Sequence, residues 1–161
     1  MYLSHAMEKI SIQIPSMFEN IRIVESFIDN AKEDFEINDD MYGNIMISVT
    51  ECISNAIIHG NLSNPAKMVH LELQMQPGLL KCSIQDEGSG FDFSNLPDPT
   101  EPENIEKLGG RGIFLMRNLS DEVKFDIDAP PKYDYNKRIY NGTFDIEYKL
   151  HGLMGEIKNR H

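Results

Sequence analysis

The sequence has little cysteine, no long apolar run and few basic residues, and each shortage excludes a class of protein. Only Cys52 and Cys82 occur among the 161 residues, too few for a disulfide framework or a four-cysteine metal site, so we expect buried, reduced thiols. No segment approaches the roughly 18 apolar residues of a membrane helix. The first residues also lack the pattern of a secretory signal, which predicts a cytoplasmic protein that does not contact membranes.

Basic residues are outnumbered by acidic ones, 15 to 26, and the formal net charge is −11. This charge repels the phosphate backbone of nucleic acids, so we expect no direct nucleic-acid partner and favour a protein partner with a basic surface. A polyphosphate bound by such a chain needs local compensation. A divalent cation, an arginine or a cluster of backbone amides would supply it.

The first third of the chain predicts a strand followed by two helices. Residues 8 to 14 alternate apolar with polar residues, which is typical of a strand. Ser16 and Glu19 have the spacing of a capping box and predict a helix that extends to about residue 35. A second helix is predicted over residues 40 to 59, with caps from Asn38, Asp39 and Asp40 and with Gly60 at its end.

The rest of the chain predicts a sheet interrupted by one long loop. Two alternating runs flank Pro77 and Gly78 and predict an antiparallel hairpin. Residues 92 to 110 lack periodicity, and a loop of this length is usually functional. Beyond a further helix and strand, Asn141 and Gly142 predict a two-residue hairpin turn. We therefore expect an α+β fold, a two-layer sandwich whose mixed, mostly antiparallel sheet is covered on one face by about three helices.

The stretch "ECISNAIIHGN" places Glu51, Asn55 and His59 four residues apart on the second helix. Successive members turn by only about 40°, so they form one stripe at the edge of the buried face. Such a stripe is often just a solvated helix face. Asparagine is unfavourable inside a helix, however, and its amide oxygen suits Mg²⁺, while a nearby carboxylate could accept a proton.

Two glycine-rich stretches provide the other candidate residues. In "DEGSGFD", Asp86 ends a predicted strand, and Gly88 and Gly90 allow close approach of a ligand to the backbone. A tight acidic turn is the alternative interpretation. In "LGGRGIFLM" glycines surround an arginine at the start of a helix, which favours an anion site over a flexible hinge. The residues of this second stretch are Gly109, Gly110, Arg111 and Gly112.

Several common nucleotide-binding motifs are absent. The spacing of a dinucleotide-binding fingerprint is incomplete, because no third glycine follows Gly90 at the required position. The lysine-containing phosphate loop and the motifs of eukaryotic-type protein kinases are missing too.

The order of the three stretches resembles the GHKL ATPase superfamily, which includes gyrase, heat-shock chaperone, mismatch-repair and histidine kinase ATPase domains. "ECISNAIIHGN" resembles its N box, and "DEGSGFD" and "LGGRGIFLM" resemble its two glycine boxes. Within the superfamily the chain is most similar to the bacterial anti-sigma factor serine kinases. The resemblance implies a Bergerat ATP-binding fold over residues 8–150, preceded by an extension at 1–7 and followed by a tail at 151–161.

The resemblance also implies roles for individual residues. Asn55 would bind the Mg²⁺ that bridges the phosphates of ATP, and Glu51 would be the general base toward an incoming serine. His59 would support the site from behind. The adenine would be bound by Asp86, Gly88, Gly90 and Thr143. Residues 92–110 would form the ATP lid, and Gly109, Gly110, Arg111 and Gly112 would contact the phosphates.

The function implied by the resemblance is an ATP-dependent serine kinase that binds a sigma factor and phosphorylates an anti-sigma-antagonist protein. The family also suggests a homodimer. Two alternatives remain: a nucleotide-dependent binding module that has lost phosphotransfer, and a detached histidine kinase catalytic domain. The second is disfavoured, since only about seven residues precede the predicted fold.

Overall fold

The computed structural model describes residues 8–88, 120–126, 132–133 and 138–149. Its elements are β1 (Glu8–Pro15), a 3₁₀ turn (Phe18–Asn20), α1 (Ile21–Asp34), α2 (Asp39–Asn55) continued by a wide turn (Ala56–Gly60), β2 (Met68–Gln76), β3 (Leu79–Asp86), β4 (Glu122–Asp126), β5 (Lys132–Tyr133) and β6 (Ile139–Lys149). The predicted lid, the helix after it and both chain ends lie outside the described residues.

The strands form one sheet in the order β1-β2-β3-β6-β4, and β5 pairs with the first residues of β6. Every pairing between described strands is antiparallel. Both described α-helices contribute to a core on one face of this sheet. The predicted α+β class and antiparallel hairpin are confirmed for the described residues, among which no parallel pair occurs. None of the described helices is long and apolar enough to cross a membrane.

The core follows from the alternation of side chains along the strands. Successive strand residues point to opposite faces, so every second residue of β2 and β3 faces the helices. These residues are at most 2% exposed: Val69, Leu71, Leu73, Leu80, Cys82 and Ile84. They pack with buried residues of α1 and α2 in a single apolar cluster. Both cysteines are buried there as free thiols, as the sequence predicts.

The boundaries of α2 agree with the sequence. Asn38 has an extended backbone, and its side chain accepts a hydrogen bond from the Met41 N–H at 2.9 Å. This contact satisfies one of the free amide groups at the start of the helix. The helical path ends at Gly60, as expected.

The capping box predicted for Ser16 and Glu19 is wrong. The α1 helix starts only at Ile21, and its cap residue Asn20 makes no side-chain cap hydrogen bond. The Ser16 hydroxyl instead donates to the Lys67 carbonyl oxygen at 2.8 Å. A partner 51 residues away in the chain therefore replaces the local one.

The hairpin turn predicted at Asn141 and Gly142 is also wrong, because β6 runs continuously through both residues. Gln85 pairs with Thr143 while Asp86 pairs with Asn141, so Gly142 is the extra residue of a β-bulge. An extra residue reverses the alternation of the preceding side chains. Tyr140 consequently lies on the helix-free face.

The reversed Tyr140 packs against polar residues of that face. Its hydroxyl accepts a hydrogen bond from Gln13 Nε2 at 2.7 Å, and its ring centroid lies 5.8 Å from that of His70. Only 3% of Tyr140 is exposed. The bulge thus fixes the start of β6 against β1 and β2.

Asn61 joins four segments immediately after the wide turn. Its Nδ2 donates to Ser16 Oγ at 2.8 Å and to the Met68 carbonyl at 2.9 Å. Its Oδ1 accepts from the Glu87 N–H at 2.8 Å, and the residue is fully buried. One amide therefore ties the end of α2 to the chain after β1, to the start of β2 and to the turn after β3.

We predict that Asn61→Ala lowers the free energy of unfolding by about 2–4 kcal/mol, because it leaves buried donors and acceptors without partners. The matched control is Asn64→Ala, which removes an exposed amide with one bond, to the Ala66 N–H, and should cost less than about 1 kcal/mol. Urea unfolding of both variants measures the difference. Equal losses would contradict the central role of Asn61.

Candidate functional site

Asp86 is the last residue of β3 and lies on the face of the sheet that the helices cover. Leu80, Cys82 and Ile84 are buried on that side, and Asp86 is the next position of the same row, paired with Val69 of β2. The alternation of the strand therefore directs a carboxylate toward the end of α2. Its side chain ends the strand between two glycines.

Gly60 and Gly88 form the walls around the Asp86 carboxylate. A Cβ atom added to Gly60 would lie 2.3 Å from Asp86 Oδ2, and one added to Gly88 would lie 1.9 Å from the Gly60 carbonyl oxygen. Neither position can hold a side chain without displacing its neighbours. The Gly88 N–H donates to Asp86 Oδ1 at 2.8 Å, which orients the carboxylate.

Burial is the largest influence on the charge of Asp86. It raises the pKa of the Asp86 carboxyl from 3.8 to about 6, although the Gly88 N–H and nearby Lys67 act in the opposite direction. Such a group is an acceptor at neutral pH and lies where water is partly excluded. A hydrogen bond from a ligand amine is therefore strong at this position.

Asn55 is the last residue of α2, directly before the wide turn, and Glu51 lies about one helical turn earlier. Asn55 is 8% exposed, and its Nδ2 is buried without a hydrogen-bond partner among the described residues. A buried donor without a partner is costly, so Asn55 is a candidate for contact with a bound ligand or an ordered water. Glu51 is half-buried.

The wide turn after Asn55 brings Gly60 to the end of β3. The Asn61 N–H donates to the Ala56 carbonyl, five residues earlier, at 2.8 Å. Widened turns of this kind are rare and occur frequently at functional sites. His59 lies in this turn, so it does not continue the α-helical stripe through Glu51 and Asn55. Burial lowers the pKa of the His59 imidazole, so the ring is neutral at neutral pH.

The structure locates the backbone of Thr143 close to Asp86. Thr143 pairs with Gln85 across β3 and β6, while Asn141 is the residue in register with Asp86. The remaining predicted site residues, Gly90, Gly109, Gly110, Arg111 and Gly112, lie outside the described residues. Their roles stay predictions.

Asn55 is the candidate ligand for a hard cation in this site. In the described part of the chain, no group of three or more His, Cys, Asp or Glu side chains is placed to hold a metal ion. The Asn55 Nδ2 is buried and has no hydrogen-bond partner in the described part of the chain, and rotation by half a turn about the last side-chain bond exchanges the positions of the amide oxygen and nitrogen. An amide oxygen here can complete the shell of an Mg²⁺ whose other ligands are phosphate and water oxygens.

Four residues of this region had no functional assignment from the sequence. The sequence predicts Gly60 only as a helix end, although its backbone lies directly against the Asp86 carboxylate, and it predicts no role for Asn61. Glu87 and Arg138 form an ion pair of 3.0 Å beside the site. The repeated glycines and the "HGN" triplet are the only local signals, because the partners of these residues are distant in sequence.

Comparison with known protein families identifies the family to which this arrangement of residues belongs. The model of the histidine kinase-like ATPase domain matches residues 14–132, which is more than half of the chain and includes Glu51, Asn55 and Asp86. The chain belongs to the histidine kinase-like ATPase family. Membership in this GHKL family implies ATP binding.

The chain is similar to two kinds of curated protein. It is 38% identical over 80 residues to the anti-sigma F factor of Bacillus cytotoxicus, which covers 47% of this chain and 53% of that protein. It is 26% identical over 158 residues to the serine-protein kinase RsbW of Bacillus velezensis, covering 91% and 99% of the two chains. The RsbW of Oceanobacillus iheyensis is 24% identical over 123 residues, covering 73% and 78%. The match to the anti-sigma F factor thus spans about half of that relative's length.

We predict that Asp86→Asn stabilises the protein at pH 7.5 by about 1–3 kcal/mol. The folded-state pKa is raised, so the unfolded state ionises first as pH rises, and the free energy of unfolding falls between about pH 4 and pH 6. Asparagine does not ionise and avoids this loss. Urea unfolding at pH 7.5 and pH 4.5 should show a larger gain at pH 7.5, and an equal gain at both would contradict the burial effect.

We predict opposite effects of the same substitution at two glycines of the α2 segment. Gly60→Ala should lower the free energy of unfolding by about 1–3 kcal/mol, since the new methyl group displaces the Asp86 carboxylate. Gly43→Ala should raise it by about 0.5–1 kcal/mol, since no atom of another described element lies within 4 Å of its added Cβ and alanine favours a helix. Thermal unfolding of both variants checks the signs.

Proposed function

We propose that this chain binds ATP with Mg²⁺ and transfers the γ-phosphate to a serine of an anti-sigma-antagonist protein, and that it binds a sigma factor when free of that protein. The observation that carries the proposal is the Asp86 carboxylate held between Gly60 and Gly88. The carboxylate is an oriented hydrogen-bond acceptor in a partly buried position, and the two glycines leave space beside it. Such a position suits the exocyclic amine of a flat purine. The names of the similar proteins supply the substrate class.

The adenine end of the site is formed by the chain after β3 and the end of α2. Asp86 would accept a hydrogen bond from the adenine amino group, and Gly88 would leave room for the ring. We assign Gly90 and Thr143 to the same end. The phosphates would extend toward Asn55, which belongs to the same rigid helix as the Gly60 wall.

Transfer of the phosphoryl group requires a base and positioning rather than a covalent enzyme intermediate. Glu51 would take the proton of the serine hydroxyl while the serine oxygen bonds to the γ-phosphorus. The bond from that phosphorus to the bridging oxygen breaks, and ADP leaves with the electron pair. Bound Mg²⁺, held by Asn55, would offset the phosphate charge. Gly109, Gly110, Arg111 and Gly112 are the proposed phosphate contacts of the lid.

The proposal also accounts for the acidic chain. A net charge of −11 opposes binding of a polyphosphate, so the cation and Arg111 would supply the local compensation. The same charge favours partners with a basic surface, both for the sigma factor and for the antagonist.

We predict that Glu51→Gln reduces phosphate transfer by about 100-fold or more, because the amide cannot accept the proton. Its ATP affinity should change little. Asn55→Ala should instead lose Mg²⁺-dependent ATP binding. Glu33→Gln, an equivalent change on the exposed side of α1, serves as the matched control and should behave as the wild type.

The measurements are transfer of labelled phosphate to a purified antagonist protein and calorimetry of ATP binding with and without Mg²⁺. Wild-type protein that binds ATP but labels no antagonist would replace the kinase with the nucleotide-dependent binding module. Full transfer by Glu51→Gln would remove Glu51 from the mechanism. An absence of ATP binding by the wild type would overturn the whole proposal.

A further inference from the structure

Arg138, the residue before β6, reaches the turn that follows Asp86. Its Nη1 donates to Glu87 Oε2 at 3.0 Å and to the Ala66 carbonyl oxygen at 2.9 Å. The Glu87 side chain is only 13% exposed, and that of Arg138 is 36% exposed. The pair is therefore partly buried, unlike most ion pairs of a protein surface.

The contacts of Glu87 connect three segments of the chain. Its carboxylate also accepts from the Met68 N–H at the start of β2, and its own N–H donates to Asn61 Oδ1. Arg138 adds the segment before β6 and the Ala66 carbonyl to this group. The residue next to Asp86 is thus fixed at both its backbone and its side chain.

We propose that Arg138 is a positioning residue for nucleotide binding: by bridging Glu87 and the Ala66 carbonyl, it holds the turn after β3 so that Asp86 keeps its orientation toward the ligand. The inference rests on the proposed function, since it assigns the adenine contact to Asp86. The match to the family model ends at residue 132, before this arginine.

Charge is the second means by which Arg138 acts on Asp86. Glu87 raises the pKa of Asp86, and Lys67, just before β2, lowers it. Other titratable groups on the elements packed around this turn include Cys52 of α2, whose thiol interacts with Asp86, Glu51 of the same helix, His59 of the wide turn and His70 of β2. Arg138 pairs with Glu87 and so offsets a negative charge directly beside Asp86.

The experiment compares five variants of the full chain: Arg138→Ala, Arg138→Lys, Glu87→Gln, the double variant Arg138→Ala with Glu87→Gln, and Lys32→Ala. The last is a matched control, because Lys32 forms an ion pair of 2.9 Å with Asp39 at the α1–α2 end of the molecule. Arg138→Lys keeps the charge and one donor. It therefore serves as a variant that keeps the fold if Arg138→Ala does not.

The first measurement is the titration of the Asp86 side-chain carboxyl by carbon NMR, with the signal assigned from Asp86→Asn. Arg138→Ala should raise the Asp86 pKa, because it exposes the charge of Glu87, and Glu87→Gln should lower it. The double variant should titrate like Glu87→Gln. Arg138→Lys should restore the wild-type pKa, and Lys32→Ala should not alter it. A merely structural role for Arg138 predicts none of these opposite shifts.

The second measurement is the affinity for Mg²⁺-ADP by calorimetry at pH 6.5 and pH 8. Arg138→Ala should weaken binding about 5- to 10-fold at pH 6.5 and less at pH 8. The phosphate of ADP also titrates near this range, but its contribution is the same for every variant and cancels in the comparison.

Two results would overturn the inference. One is an Arg138→Ala protein whose Asp86 pKa and ADP affinity equal those of the wild type. The other is a loss of affinity that is as large in the Glu87→Gln background as in the wild-type background. If the wild type binds no ADP, the proposed function fails, while the NMR titration still decides whether Arg138 acts on Asp86.

Discussion

The close approach of Gly60 to the Asp86 carboxylate is the constraint on which the site depends. It requires the end of α2 to lie directly against the end of β3, with no side chain between the two backbones. That contact buries a carboxylate, which is unfavourable by itself. Packing in the apolar cluster of the two helices and the sheet must therefore offset the free-energy cost of burying this carboxylate.

Rigid elements on both sides make this arrangement specific. Asn61 fixes the chain directly after Gly60, and its hydrogen bond to the Glu87 N–H fixes the chain directly after Asp86. Asn55 is held by the helix that ends at the same turn. The adenine end and the phosphate end of the candidate site are thus held in fixed positions relative to each other. Catalysis by positioning requires this.

The regular parts of the fold could be predicted from the sequence because they depend on local patterns. The alternation in β2 and β3 gave the hairpin and its buried face, and the position of Asp86 follows from the same alternation. Glu51 and Asn55 could be selected because polar residues interrupt an apolar helix. The family resemblance, rather than any pattern, supplied their roles.

The parts that sequence reasoning missed depend on distant partners. Ser16 had a local capping signal, but its hydroxyl bonds to Lys67, because the chain after β1 packs beside the start of β2. Gly60 and Asn61 act through contacts with residues 86 and 87, about 26 positions along the chain. Apart from the repeated glycines and the "HGN" triplet, the sequence contains no local sign of such contacts.

Asn141 and Gly142 have the composition of a tight turn, yet the neighbouring strands continue on both sides, so the extra residue is absorbed as a bulge. Whether the number of residues between Tyr140 and Thr143 is odd or even therefore decides which face of the sheet Tyr140 occupies. Deleting or adding one residue there would turn Tyr140 away from Gln13 and His70, whereas a change of two residues would preserve its side. Length variation among relatives should accordingly come in even steps at this point of the sheet.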